Sequence, residues 1–315
     1  MTMPVPLARP PEAPAPGGAR PQRAATAVID RAREVELLQA ALASGAHVVL
    51  EGPPGTGKST LLRAVAAGRS SPFMLVEGNA ELTPARLVGH FDPALVLAKG
   101  YQPEIFVDGP LVQALRTGGM LYVEELNRVP EETLNVLLTV MSERELHVPR
   151  LGSVAADDAF RLVAAMNPYD TVGTARISSA VYDRTCRITM GYQTKDAECD
   201  IVRLRCLPCG EAWRRAVVDL VRATRTHPDI RVGSSVRGAI DCVGLAVQLA
   251  RLRDVAPDDW AVGLDSALVA LSGRIRLNES CPRSAEAVVR ELYCAVFGPN
   301  PQQSQQGGDD DPGEA

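Results

Sequence analysis

Residues Gly52-Pro53-Pro54-Gly55-Thr56-Gly57-Lys58-Ser59 fit the pattern G-x-x-x-x-G-K-[ST]. The stretch before them, His47-Val48-Val49-Leu50, is short, apolar and β-branched, and reads as a buried strand. The stretch after them, Ser59 to Ala67, lacks breakers and carries apolar residues at helical spacing. A strand, a glycine loop and a helix start therefore occur in order. Glycines let successive backbone N–H groups converge on one anion, and the helix N-terminus adds positive potential there. In this setting Lys58 would reach the β- and γ-phosphates of a nucleoside triphosphate such as ATP. The Ser59 hydroxyl would hold Mg²⁺, and Thr60 would close the cradle.

Working outward, the chain reads as two regions between tails. Residues 25–193 alternate strand-like runs with helical ones, the pattern of a parallel α/β sheet. The strand candidates are His47–Leu50, Phe73–Glu77, Met120–Val123, Arg161–Ala165 and Arg187–Met190. Residues 194–298 read as helical, with candidates at Glu211–Thr226, Ser235–Arg253, Asp258–Arg274 and Ser284–Phe297. Residues 1–24 are rich in Pro, Ala and Gly, and residues 299–315 in Pro, Gln, Gly and Asp; both are expected to be disordered.

Composition bounds the function. Of 315 residues, 46% are hydrophobic and 23% charged, the balance of a soluble globular protein. No apolar run approaches the roughly 20 residues a bilayer span needs. The first residues show no apolar core of a secretory signal, so a cytoplasmic protein with reduced thiols is expected. A net charge of −5 and 4% aromatic residues offer neither a basic track nor stacking platforms, so nucleic acid is not the expected partner.

Four further stretches carry chemistry. In Met120-Leu121-Tyr122-Val123-Glu124-Glu125 a buried strand delivers two acids to its C-terminal edge, where ligands sit in open parallel sheets. Glu124 would bind Mg²⁺ through its water, and Glu125 would polarise the attacking water. Arg161 to Met166 ends in Asn167, which would hold that water or contact the γ-phosphate. Arg184 precedes the fifth strand and would serve a neighbouring subunit as an arginine finger, with Arg176 and Arg187 as competitors. Finally, Ser234-Ser235 starts a helix whose first turn carries Arg237. A cation is disfavoured there unless an anion lies close, such as a nucleotide between the two regions.

Gly-Pro-Pro-Gly-Thr-Gly-Lys-Ser, Glu-Glu-Leu-Asn-Arg, Met-Asn-Pro, Tyr-Asp-Arg and Gly-Ser-Ser-Val-Arg-Gly follow one another here. In that order they resemble the MoxR family of AAA+ ATPases, from about Ile29 to Phe297, with a lean toward the CoxD-like and GvpN-like branches. The resemblance implies Walker A at Gly52–Ser59, Walker B at Leu121–Glu125 and sensor 1 at Asn167. It also implies the arginine finger at Arg184 and sensor 2 at Arg237. It further implies a hexameric ring, a partner with a von Willebrand factor A domain, and a client such as a maturing metalloenzyme. Two insertions fit it: a hairpin from Phe91 to Val107 turning at Lys99-Gly100, and a second hairpin at Leu146–Gly152. One departure stands out. Glu124 occupies a position where the family usually has Asp, which leaves open a nucleotide switch with negligible turnover.

Cys206-Leu207-Pro208-Cys209 with Cys199 lacks the second ligand pair that structural zinc needs. The four histidines are scattered, and Trp213 and Trp260 read as core or interface anchors.

Overall fold

The computed structural model describes residues 28–69, 71–168 and 178–301. Residues 1–24 and the acidic tail beyond 301, both expected to be disordered, lie outside the described residues, as does Arg176.

Helix α1 (Ala32–Ala43) leads into β1 (His47–Glu51), the glycine loop and α2 (Lys58–Ala67). Then come β2 (Phe73–Glu77), α3 (Pro84–Val88), β3 (Gly89–Phe91), α4 (Pro93–Lys99), β4 (Phe106–Asp108), α5 (Pro110–Thr117) and β5 (Met120–Glu124). Next are α6 (Glu131–Glu143), β6 (Glu145–Val148), β7 (Gly152–Ala155), β8 (Arg161–Met166), α7 (Ser179–Asp183) and β9 (Thr185–Thr189). Strands β2-β5-β8-β1-β9 form one parallel sheet in that order. The glycine loop leaves β1 between its neighbours β8 and β9, at the sheet edge where open α/β folds hold ligands.

Strand parity sorts the core into two layers, because successive side chains point to opposite faces. Val49, Leu121, Val123, Leu162 and Ala164 pack with α3, α5 and α6 on one face. Val48, Leu50, Met120, Tyr122, Val163 and Ala165 pack with α1 and α2 on the other. The same parity decides which polar groups meet at the strand ends. Glu124 shares the face of Met120 and Tyr122, toward α2, whereas Glu51 and Arg187 share the opposite face with α7.

The helical region follows as α8 (Lys195–Arg205), α9 (Glu211–Ala223), β10 (Ile230–Val232), α10 (Val236–Arg253), α11 (Trp260–Leu271), β11 (Arg276–Leu277) and α12 (Ala285–Phe297). It has its own core around Val217, Val243, Ala267 and Val288, which also takes in Trp213. Trp260 stacks edge-on against Tyr293 and donates to the Gly298 carbonyl at 3.0 Å.

Two expectations need correction. The insertion around Lys99-Gly100 is not a simple hairpin. Its strands β3 and β4 pair antiparallel, but helix α4 stands between them. Asp92 caps α4 by accepting from Ala94 N and Leu95 N, and Pro93 occupies the first turn, so the local chemistry favours a helix over a turn. The helical region also contains the short antiparallel pair β10–β11, which carries too few residues to show any period. The second insertion is the expected hairpin, with Leu146 opposite Val154.

Candidate nucleotide site

One cavity at the sheet edge is lined by Gly55, Gly57, Lys58, Ser59, Glu124 and Arg237, among others. Its residues come from the loop after β1, the end of β5, the end of β8 and the start of α10. Two of the loop's glycines have φ values that suit a residue without a side chain. Gly57, at φ +90°, precedes the first turn of α2. At Gly55, with φ +75°, a Cβ would lie 2.1 Å from the Ser235 Oγ, so the loop and the start of α10 meet backbone to side chain.

Lys58 folds onto the loop, donating from Nζ to the carbonyls of Gly52 (2.8 Å) and Pro53 (3.0 Å). Burial lowers its pKa to about 8; Glu125 and Glu124 oppose the shift and Arg237 adds to it. The Ser59 hydroxyl donates to Oε1 of Glu124 in a very short contact. Strand parity explains that contact, since Glu124 shares the α2-facing side of β5. The Tyr122 hydroxyl, two residues earlier on the same face, reaches Ser59 Oγ at 3.3 Å. Burial first, then Glu124, pushes the Tyr122 phenol up to about 12, with the Ser59 hydrogen bond opposing.

Glu125 adopts φ +53°, a left-handed conformation uncommon for a side-chain-bearing residue. That turn swings it off the strand. Its Oε2 is buried and makes no hydrogen bond, with the Arg128 Nε in ion-pair range at 3.6 Å. A carboxylate oxygen left in this state is suited to accept a proton donor brought by a ligand. Asn167 directly follows Met166, whose carbonyl accepts from Gly52 N at 3.3 Å, so it stands at the same sheet edge.

Arg237, exposed in the first turn of α10, joins the cavity wall. Arg184 does not. It caps α7, with Nε donating to Ser142 Oγ at 2.5 Å and Nη1 to the Ala180 carbonyl at 3.0 Å. Its successor Thr185 pairs with His47 at the start of β1, whereas the loop begins after Glu51 at the other end. Arg187, the competing candidate, is tied to the buried carboxylate of Glu51 at 2.5 Å.

Several contributors were not foreseen. Arg31 is 4% exposed, and its Nη2 donates to the carbonyls of Thr56 (3.0 Å) and Gly191 (2.6 Å). Gln193 Nε2 donates to the same Thr56 carbonyl at 3.2 Å. Only burial distinguishes these two from ordinary surface residues. His47 is structural: its Nδ1 accepts from Leu162 N at 2.9 Å, and burial, then Arg161 and Arg144, lower its pKa to about 4.

The lining tests well against a nucleotide with magnesium. A glycine-rich loop leads into a helix N-terminus, an ammonium stands beside it, and a hydroxyl–carboxylate pair offers hard oxygen donors of the kind Mg²⁺ takes.

The chain is similar to several known proteins. The AAA domain of the dynein-related subfamily is matched over residues 47–185. The uncharacterized protein YeaC of Bacillus subtilis (strain 168) is 28% identical over 306 residues, covering 84% of this chain and 89% of YeaC. The gas vesicle ATPase GvpN of Ancylobacter aquaticus is 30% identical over 274 residues, covering 81% of this chain and 74% of GvpN. Among solved structures, a RuvB mutant of Thermotoga maritima aligns with TM-score 0.52 and 16% identity, covering 76% of this chain and 68% of RuvB; that likeness speaks to fold alone. Among the described residues no helix is long and apolar enough to cross a membrane. With a phosphate loop, a paired-acid strand end and an arginine from a helical region around one cavity, the chain belongs to the MoxR-like AAA+ ATPases.

Proposed function

We propose that this chain hydrolyses ATP as one subunit of a ring, probing a client through its two insertions. The observation that carries the proposal is the Ser59–Glu124 contact at the foot of a loop whose cavity also takes Lys58 and Arg237. Residues 25–193 act as the base and 194–298 as a lid. Lys58 and the loop amides bind the β- and γ-phosphates. Ser59, and Glu124 through a water, would hold Mg²⁺, and the ion would neutralise negative charge on the nucleotide. Glu125 accepts the proton of the attacking water, Asn167 orients that water, and Arg237 binds the γ-phosphate from the lid.

Arg184 acts in trans. Four strand rises, about 13 Å, separate the start of β9 from the level of the loop, too far for an arginine held by Ser142 to serve its own site. A ring, proposed as a hexamer, brings it to the next subunit's γ-phosphate. The likeness to GvpN supports a remodelling or assembly role; a von Willebrand factor A domain protein is the proposed partner and the cytoplasm the proposed location. Nucleic acid is not proposed as the client.

The test is a Glu125→Gln chain. It should bind ATP with unchanged affinity, assemble with ATP and Mg²⁺, and release phosphate at least ~100-fold more slowly. A wild type that stays monomeric under those conditions sinks the proposal. So does one that, with its partner present, releases phosphate no faster than Glu125→Gln, and the nucleotide-switch reading then takes its place.

A further inference from the structure

Glu51 is the last residue of β1 and the one immediately before the phosphate loop. It is 1% exposed, yet no nucleotide chemistry is assigned to it. Its carboxylate is fully engaged on the face away from α2. Oε1 accepts from the Tyr182 hydroxyl at 2.6 Å, and Oε2 accepts from Arg187 Nε at 2.5 Å. Tyr182 belongs to α7, and Arg184 caps that same helix two residues later. Parity makes the meeting possible: Glu51 and Arg187 project to the face of the sheet on which Val181 packs.

We propose that Glu51 and Tyr182 are positioning residues for Arg184, so that the root of one subunit's phosphate loop sets the pose of the guanidinium lent to its neighbour. The inference rests on the trans role of Arg184 argued above. Three tethers fix that arginine: its own bonds to Ser142 and Ala180, and the Tyr182–Glu51 bond that pins α7 to β1. α7 has only five residues and cannot hold its orientation by its own helical bonds. A buried carboxylate is therefore a strong anchor for it, since leaving such a group short of a partner is costly. Burial and the Glu51 carboxylate push the Tyr182 phenol up to about 12, so the hydroxyl stays protonated and donates at neutral pH. Gly52 follows Glu51 without an intervening residue. Any shift of the loop on nucleotide binding therefore reaches α7 through one carboxylate.

The experiment is Tyr182→Phe in mixed rings. Alone, this variant should bind ATP within twofold of wild type and stay folded at the assay temperature, with a lowered melting temperature because the buried Glu51 carboxylate loses one of its two donors. Its turnover should fall about tenfold, part of the thousandfold or more that an arginine finger supplies. Mixed one to one with Glu125→Gln, half of its sites face an intact finger, so turnover per Tyr182→Phe subunit should rise about fivefold. Mixed with Arg184→Ala it should not rise, because neither subunit then offers a well-placed finger.

The reverse pattern, full recovery of Arg184→Ala sites in mixtures with Tyr182→Phe and no rescue of Tyr182→Phe by Glu125→Gln, puts Tyr182 to work on its own loop and overturns the inference. Wild-type turnover for Tyr182→Phe overturns it too. Should Tyr182→Phe fail to fold, Glu51→Gln, which weakens the same bond from its other end, carries the same test. A control mixture of Arg184→Ala with Glu125→Gln that stays inactive refutes the trans role itself, and the inference with it.

Discussion

Raising the pH through 8 should uncharge the lysine of the empty loop, and nucleotide binding should then recharge it. Burial holds the Lys58 pKa at about 8 while its ammonium leans on two loop carbonyls. A polyanionic triphosphate against that ammonium restores its pKa to at least the ordinary 10.5. The sign follows from linkage. At pH 9 the free lysine is only about 10% protonated and the bound one nearly fully, so binding takes up about 0.9 proton per nucleotide. At pH 7 the uptake is about 0.1, and between pH 8 and 10.5 affinity falls about tenfold per pH unit. The phosphate's own ionisation, near pH 6, lies below this window. Titration calorimetry of a non-hydrolysable ATP analogue, in paired buffers of different ionisation enthalpy at pH 7, 8 and 9, reads the uptake directly. Lys58→Met supplies the background. In the nucleotide-free protein the same shift acts on stability: the unfolded chain holds this proton between pH 8 and 10.5 while the folded one does not, so stability rises with pH there. An uptake at pH 9 below about 0.3 proton, or an affinity flat from pH 7 to 9, refutes the assignment of a buried, desolvated Lys58.

Three other substitutions test the rest of the site. Arg31→Met leaves the Thr56 carbonyl with Gln193 alone and the Gly191 carbonyl without its side-chain donor, and should cost about 1–3 kcal/mol in urea unfolding; a loss under 0.5 kcal/mol, the range of ordinary surface changes, would show that the contacts contribute nothing. Gly55→Ala places a methyl against Ser235 at a positive φ, so ATP affinity should drop at least tenfold. Adding Ser235→Gly should recover only part of that loss, because it removes the clash but not the backbone strain. Tyr122→Phe takes the second partner from the Ser59 hydroxyl. The magnesium midpoint of nucleotide binding should rise about two- to tenfold, from a net hydrogen-bond worth of about 0.5–1.5 kcal/mol. An unmoved midpoint would make the contact incidental.

The loop and the paired acids were legible because their chemistry depends on local order along the chain. Glycines with a required φ, a strand that ends in acids and a helix that starts at a lysine are each written in a few consecutive residues, although the acids lie 65 residues past Ser59. The parity that brings Glu124 to Ser59 is likewise written in Met120-Leu121-Tyr122-Val123, once the strand is recognised. Arg31 and Gln193 were not legible. Their partners, Thr56 and Gly191, are backbone carbonyls up to 160 residues away, and no side-chain pattern announces such a bond. Glu51 was hidden for a related reason: as the polar end of an apolar strand it reads like a solvent-facing residue, and only α7 folding over it shows otherwise. The misread insertion shows the converse limit. Lys99-Gly100 has the composition of a turn, but Asp92 and Pro93 seven residues earlier start a helix that the glycine then ends.

The contacts between the two cores also constrain how the helical region can move. Inside it, the buried carboxylate of Glu198 accepts from Arg222 (3.0 Å) and Arg225 (2.7 Å). Arg225 lies 3.9 Å from the centre of the Tyr192 ring and donates to the Ser234 carbonyl at 2.8 Å. Ser234 N in turn donates to Thr224 Oγ1 at 2.9 Å, one residue before the serine that faces Gly55. Parting a buried charge from either arginine costs several kcal/mol, so α8, α9 and the start of α10 must travel together and carry Arg237 with them. The bonds that residues 191–194 make to the glycine loop and to the turn before α1 are of another kind. They are single hydrogen bonds from Arg31 to Gly191, from Gln193 to Thr56 and from Thr194 N to Asp30. Each is worth about 0.5–3 kcal/mol net, the larger values where one partner is charged. Movement of Arg237 relative to Lys58 therefore parts these single bonds more readily than it parts the Glu198 cluster, to which Arg225 and Arg222 also tie Tyr192 and the Gln193 carbonyl.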